Sequence, residues 1–368
     1  MSSLSRISLS ATSNPAMSSG LTGGSFADAP TPPVERRESD PPLSRRMTWW
    51  GWGERIALAT AVVAIAIASL GASQASAADK LTVLLDWFVN PDHAPLVVAK
   101  EAGYFARHNL DVELIAPADA ASPPRLVAAG QVDVAVSYQP DLLLQVKEGL
   151  PLVRFGTLIG QPLSVLVALK DGPVKSLADL RGRTVGYSIA GFQEAYLARM
   201  LRSAGLAPSD VRTVNLNFNL VPALLARQVD AVVGAFRNVE TVDIRRHGGE
   251  PLVFLPEDNG VPPYDELIYV TREALRGDPR LPRFLAAVKE ATAAIAADPA
   301  AAWKVFAAAE PTLDDEPNRQ SYALTASLFA ADPGRLDRDR YDAFARFMRE
   351  EGLVEAVPAL DTYATELR

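Results

Sequence analysis

The 368-residue chain contains no cysteine and only three histidines, His93, His108 and His247. The first absence excludes disulfides, thiolate metal centres, a cysteine nucleophile and cysteine-linked lipids. The second leaves little basis for a metal site built on imidazole. Positive charge is also short, with 36 Lys and Arg against 44 Asp and Glu and a formal net charge of −8. A general nucleic-acid binder needs a basic face against phosphate, so that class is set aside. Neither a Walker A sequence nor G-x-G-x-x-G occurs, so nothing marks a nucleotide phosphate cradle. The nearest approach to a nucleophile elbow is Gly186-Tyr187-Ser188-Ile189-Ala190-Gly191, whose second glycine comes one residue too late for G-x-S-x-G. No cofactor is expected.

Hydrophobic residues make up 48% of the chain, enough to fill a sizeable core, and the length favours two domains or lobes. Residues 1–46 are rich in Ser, Pro and Ala, lack periodic apolar positions, and end on Arg45-Arg46. Ile56–Leu70 follows as 15 residues without a charge, then small residues and the A-x-A sequence Ala75-Ser76-Ala77. A bilayer span needs ~20 apolar residues, so the run is short for an anchor and fits a cleaved signal peptide. Met47 offers an alternative start, and the arginine pair is a poor twin-arginine match because Thr48-Trp49-Trp50 follows it. The expected divisions are a leader over 1–77, a first lobe from 78–168 and 268–368, and a second lobe over 169–267.

Beyond the leader, short apolar strands alternate with helical stretches. Strands are predicted at Leu81–Leu85, Val112–Ile115 and Val132–Val136, with helices over Pro95–Glu101, Arg125–Ala129 and Pro140–Glu148. The scheme repeats with strands at Thr184–Tyr187 and Val211–Asn215 and helices over Glu194–Ala204 and Pro222–Arg227. Such alternation implies an α/β fold with mostly parallel sheets covered by helices. From Pro282 onward the chain is Ala-rich, charged and helical in spacing, which suits a tail wrapped on the first lobe. Val165–Leu169 and Leu267–Val270 are the expected crossings between lobes.

Ligands of open α/β sheets sit at the carboxyl ends of strands. Four segments there carry aromatic, amide and carboxylate groups: Asp86 to His93, Gly186-Tyr187 with Glu194, Asn217-Phe218-Asn219, and Gly234 to Glu240. Each has an ordinary structural explanation as well. Asn-Pro-Asp is a good turn, and an acid in a first helical turn offsets the helix dipole by ~0.3 to 1 kcal/mol without any ligand.

Together these segments resemble the periplasmic binding proteins for thiamine pyrimidine precursors, which share a fold with the thiamine-pyrimidine synthases. The resembling stretches are LDWFVNPDHAPLVVAKEAGYF from Leu85, VDVAVSYQP from Val132, GYSIAGFQEAYLARMLRSAGL from Gly186, NFNLVPALLARQVDAVVGAFRNVE from Asn217 and GVPPYDELIYVT from Gly260. The resemblance implies a type II two-lobed periplasmic binding protein with two hinge crossovers, serving an ABC permease and its ATPase. It further implies that Trp87 and Tyr187 sandwich a pyrimidine ring and that Glu194 binds its exocyclic amine. Asn90, His93, Tyr138, Asn219 and Asn238 match positions near the cleft. Phe236-Arg237 departs from the Tyr-Trp of many relatives, and Arg237 either recognises an acidic substituent or pairs with Glu240. Two alternatives stay open: a sulfonate, taurine or nitrate binder of the same fold, and the synthase itself. A carboxylate at Glu194 repels an anion, and the synthases carry a cysteine-rich motif where this chain has no cysteine.

The leader makes one direct forecast. Expressed with its own signal in a Gram-negative host, the protein should be recovered from the periplasm beginning near Ala78. Full-length chain in the membrane fraction would revive the anchor reading.

Overall fold

The computed structural model describes residues 77–119 and 121–367. The arginine pair, the apolar run and the cleavage sequence up to Ser76 lie outside the described residues. Within them the chain runs β1 (Asp79–Leu84), α1 (Ala94–Glu101), α2 (Tyr104–Arg107), β2 (Leu110–Ile115), α3 (Pro123–Ala128), β3 (Val134–Tyr138), α4 (Gln139–Lys147) and β4 (Leu152–Ile159). A second run follows: β5 (Ser164–Leu169), β6 (Thr184–Tyr187), α5 (Phe192–Ser203), β7 (Arg212–Asn215), α6 (Leu220–Leu225), β8 (Ala231–Phe236), α7 (Glu240–Arg246) and β9 (Pro251–Phe254). Then come β10 (Leu267–Arg272), α8 (Arg280–Ala297), α9 (Pro299–Ala309), α10 (Glu316–Thr325), α11 (Arg338–Glu350) and α12 (Leu360–Tyr363).

These strands form two five-stranded sheets with one plan. The first has the order β2-β1-β3-β10-β4 and the second β7-β6-β8-β5-β9. In each, three strands run parallel, as right-handed β-helix-β crossovers require, while β10 and β5 are antiparallel to both of their neighbours. Central strands covered on both faces must be apolar throughout. β5, central in the second sheet, meets that demand with Ser164 its one polar residue, while β4, at the edge of the first, is equally buried and takes Arg154 and Thr157 inside. Each sheet with its helices is a lobe.

Sheet membership corrects the expected crossings. Ser164–Leu169 lies wholly in the second sheet, paired with β8 and β9, and Leu267–Arg272 lies wholly in the first, between β3 and β4. The chain therefore passes between lobes over residues 160–163 and again over 255–266, ahead of each apolar strand. An apolar run marks a strand with two covered faces, and the polar residues before it mark the passage.

Buried polar groups hold the two passages together. The carboxylate of Glu266 accepts from the backbone N–H groups of Leu163 at 2.6 Å and Ser164 at 3.1 Å, and from the Tyr264 hydroxyl at 3.2 Å. Arg340, on α11, donates to the backbone carbonyls of Gly160 and Tyr264, one on each passage, and pairs with Asp265 at 3.2 Å. Asp265 also accepts from the hydroxyls of Thr157 and Tyr341. Beside this polar knot, Tyr264 packs on Phe344 and Phe192 with ring centroids 4.9 and 5.7 Å apart. One continuous core thus runs from the first lobe through α11 into the second.

The helical tail packs on the first lobe, as expected, through α8 and α9 against α1. It also reaches further. Glu350 and Glu351 at the end of α11 pair with Arg199 and Arg202 on α5 of the second lobe.

Arg340→Met keeps most of the stem but leaves two backbone carbonyls and Asp265 without their cation. Because Arg340 is a quarter exposed, the loss is expected at about 2 kcal/mol, below the ~3–5 kcal/mol for breaking a fully buried pair. A urea titration that finds the midpoint unmoved would remove Arg340 from the hinge.

Candidate functional site

Each of the four sequence segments leaves the carboxyl end of a strand: residues 86–93 after β1, 188–194 after β6, 216–219 after β7 and 237–240 after β8. The structure brings segments of the two lobes together in two places. At one, the Trp87 ring of the first lobe lies 5.8 Å from the Phe218 ring of the second, tilted by 33°. At the other, the Asn238 side chain donates to Asp92 at 2.5 Å and to the Thr325 hydroxyl on α10 at 2.7 Å. The cleft between the lobes therefore has an aromatic contact and a buried polar contact. Trp87 is 41% exposed and Phe218 is 63% exposed, whereas Asn238 is fully buried.

The loop after β1 is fixed by its own polar groups. The Asn90 side chain accepts from the N–H of Asp92 and donates to the carbonyl of Phe88. His93 is buried, with Nδ1 accepting from the Asn90 N–H at 3.3 Å and Nε2 2.8 Å from Asp86. Tyr138 donates to the second oxygen of Asp86 at 2.5 Å. Burial drives the Asp86 carboxyl upward, but hydrogen bonds from His93 and Tyr138 outweigh it and hold the group below the usual carboxylate range. Burial and the neighbouring Asp86 charge push Tyr138 far above the ordinary phenol range, so its proton stays on the ring oxygen. Asn90, His93 and Tyr138 thus brace the loop that carries Trp87, with their polar atoms already engaged.

The second-lobe residues divide in the same way. Tyr187, at the end of β6, is half-buried against the core, and among the described residues no ring pair joins it to Trp87. Glu194 is exposed in the first turn of α5, with one carboxylate oxygen accepting from the Gly191 N–H at 3.0 Å. Asn219 donates to the carbonyls of Leu216 and Asn217, which ties down its own loop. Arg237 pairs with Glu257 at 2.9 Å and also donates to the Pro162 carbonyl. It belongs to the hinge. Glu240 instead accepts from the Phe236 N–H, so the expected Arg237–Glu240 pair is absent.

Several groups that matter here carry no sequence motif. Gln193 accepts from the N–H groups of Ser188 and Ile189 and fills the space beside Gly234, where a Cβ would lie 2.3 Å from its amide. Ser188 accepts from the Phe218 N–H at 3.1 Å. Asp86, Asp92 and Thr325 act through partners 52, 146 and 87 residues away in sequence. Long-range pairing of this kind has no signature in local spacing.

A family model described as NMT1/THI5-like matches residues 90–302. A Haemophilus influenzae protein named for thiamine biosynthesis is 47% identical over 292 residues, covering 79% of this chain and 93% of its own length. The formylaminopyrimidine-binding protein of Halalkalibacterium halodurans is 37% identical over 203 residues, 55% of this chain and 62% of its own. A Legionella pneumophila protein named 4-amino-5-hydroxymethyl-2-methylpyrimidine phosphate synthase is 26% identical over 288 residues, 77% of this chain and 90% of its own. Among solved structures, the alkanesulfonate-binding protein of Xanthomonas axonopodis superposes with a TM-score of 0.60 over 79% of this chain and 100% of its own, at 15% identity. The shared architecture is that of the two-lobed periplasmic binding proteins.

The buried carboxylates set a pH test. Burial raises Asp92 and Asp141 to about 6 and Glu240 and Glu266 to about 7. In the unfolded chain these groups titrate near ~4, so the folded state holds more protons between those values. The stability they contribute is complete below ~4 and is lost as pH rises through about 6 to 7. Asp86, held low, works the other way and loses its contribution as pH falls below ~4. The urea midpoint should therefore climb as pH drops from about 8 to about 5, and Glu240→Gln should reduce that slope. A midpoint that is flat or falls over this range contradicts the assignment.

Proposed function

The chain belongs to the NMT1/THI5-like family, and from that membership we propose that it is the substrate-binding component of an ABC importer, taking an aminopyrimidine thiamine precursor into the cleft between its lobes. The observation that carries this reading is Trp87. A large ring stands 41% exposed at the carboxyl end of β1, against the second lobe, on a loop whose polar groups are otherwise consumed. An indole left open to water in a cleft gains most from a flat partner.

An aminopyrimidine offers two π faces and an edge of donors and acceptors. Stacking supplies ~1–3 kcal/mol per ring, and a hydrogen bond to the Glu194 carboxylate ~1.5–3. Micromolar binding needs ~8.2 kcal/mol. Further amide contacts and closure of the lobes over the ligand supply the remainder, and closure distinguishes the loaded from the empty protein for a permease. Glu194 keeps one oxygen available while the other caps α5. Tyr187 is the second stacking residue that the family resemblance implies. The leader sequence and the binding-protein relatives support a periplasmic location, with a permease and its ATPase as partners.

The two other readings lose support at particular atoms. An anion site would gather helix N-termini and hydroxyls, but Glu194 sets a carboxylate in the first turn of α5, and Arg237, the cation the sequence offers near the cleft, is taken by Glu257 and the Pro162 carbonyl. A reacting histidine would need a free nitrogen, and both nitrogens of His93 are engaged in a buried site.

Calorimetry with formylaminopyrimidine, hydroxymethylpyrimidine, an alkanesulfonate and nitrate tests the assignment. Trp87→Ala should cost ~1–3 kcal/mol of pyrimidine affinity, and Glu194→Gln ~1.5–3 kcal/mol with the fold intact. If Glu194 only caps its helix, the Gln variant will instead lose under ~1 kcal/mol of stability and keep its affinity. Binding of the sulfonate or nitrate in preference to both pyrimidines would overturn the reading.

A further inference from the structure

Phe218 belongs to no core and is 63% exposed, yet its backbone is held in an unfavourable conformation. Asn217 and Phe218 are consecutive residues with positive φ, 46° and 66°. The left-handed region is tolerated by asparagine and disfavoured for a bulky side chain. Strain of this kind persists only where surrounding contacts over-determine it, and such residues gather at ligand clamps.

The contacts that impose it are all polar and lie beneath the ring. The Phe218 N–H is held by the Ser188 hydroxyl at 3.1 Å, the Asn217 N–H by the Asn215 side chain at 2.9 Å, and the loop carbonyls by the Asn219 amide. What they accomplish is to send an aromatic ring out of the second lobe until it meets Trp87 of the first. Phe88 adds an edge contact to Trp87, its centroid 5.4 Å away at 79°.

We infer that Phe218 is the second-lobe ring that closes on a planar ligand stacked against Trp87, and is therefore a specificity-determining residue of the cleft. Two rings that sandwich a third stand about 7 Å apart, twice the ~3.5 Å contact distance of carbon atoms. The ring centroids now lie 5.8 Å apart and the rings meet each other, so they must part by about one ring thickness, ~3.5 Å, to admit a heterocycle between them. The loop then rejects ligands without a flat face, because nothing else would replace the ring contact it gives up. This inference rests on the pyrimidine reading and differs from the family resemblance, which gives the opposing face to Tyr187.

The test is calorimetry of the wild type and of Phe218→Leu, Phe218→Trp, Phe218→Gly and Tyr187→Leu with formylaminopyrimidine and hydroxymethylpyrimidine, alongside thermal melts. Phe218→Leu keeps an apolar side chain without a π face and should weaken binding about five- to a hundredfold. Phe218→Trp should restore most of that loss. Phe218→Gly should lose affinity while its melting temperature rises, because glycine relieves the left-handed strain. Opposite movements of affinity and stability separate a ligand role from a structural one. Affinity of Phe218→Leu within twofold of wild type, with Tyr187→Leu weakened, sinks the inference and leaves the pyrimidine reading standing. A fall in the melting temperature of Phe218→Gly also sinks it, since the residue would then serve the fold. Absence of any heat with the wild type sinks the pyrimidine reading and this inference with it.

Discussion

The guanidinium of Arg340 donates to one backbone carbonyl on each of the two segments that pass between the lobes, at Gly160 and Tyr264. A carbonyl on a connecting segment, shielded from water and outside any sheet ladder, needs a partner as much as one in a strand does. One cation supplies both. Glu266 performs the complementary task for the N–H groups of Leu163 and Ser164. The two passages are therefore cross-linked by charge-assisted bonds, which are stronger and more directional than neutral ones. The knot joins the two passages at one place, while Trp87 and Phe218 meet at another, on loops that leave the carboxyl ends of β1 and β7.

The contacts between lobes differ in what they demand of water. Asn238, Asp92 and Thr325 form a buried trio, and separating them exposes groups that water can solvate at once. Burial has already raised the Asp92 carboxyl to about 6, so the trio is poised between protonation states near neutral pH. Trp87 and Phe218 gain only by excluding water, and any flat apolar face can take the place of either ring. The ion pairs of Arg199 and Arg202 with Glu350 and Glu351 form a third contact, through the tail. The tail helix that carries Arg340 therefore also touches the second lobe, so the return of the chain to the first lobe ties the two sheets together a second time.

Much of this was legible in the sequence wherever local spacing carried it. Thr184–Tyr187 is a strand to the residue, and the helices over 94–101, 139–147 and 192–203 fall within two residues of their expected bounds. The four cleft segments do leave strand ends, because strand-turn-helix units place them there whatever the tertiary detail. What local spacing could not show was which lobe owned an apolar run. Val165–Leu169 reads alike as a crossing or as a strand, and only pairing with β8 and β9 decides it. Arg237 was legible as a cation near the cleft, but its partner, Glu257, is 20 residues away across a loop. Phe218 is legible as part of a cleft segment but not as a ligand-facing ring, because that depends on two backbone angles and a partner 131 residues distant.

The polar cluster behind the Trp87 loop is built from groups far apart in the sequence. Asp86, His93 and Tyr138 are the groups from which a proton relay could be made, and they lie within hydrogen-bond reach of one another. Here each is complete: the carboxylate has a donor on each oxygen, the imidazole is engaged at both nitrogens, and the phenol keeps its proton. These atoms hold the loop that carries Trp87. Full satisfaction makes the cluster rigid, so the 41% exposure of the Trp87 ring belongs to a loop fixed from within and not to a loose one.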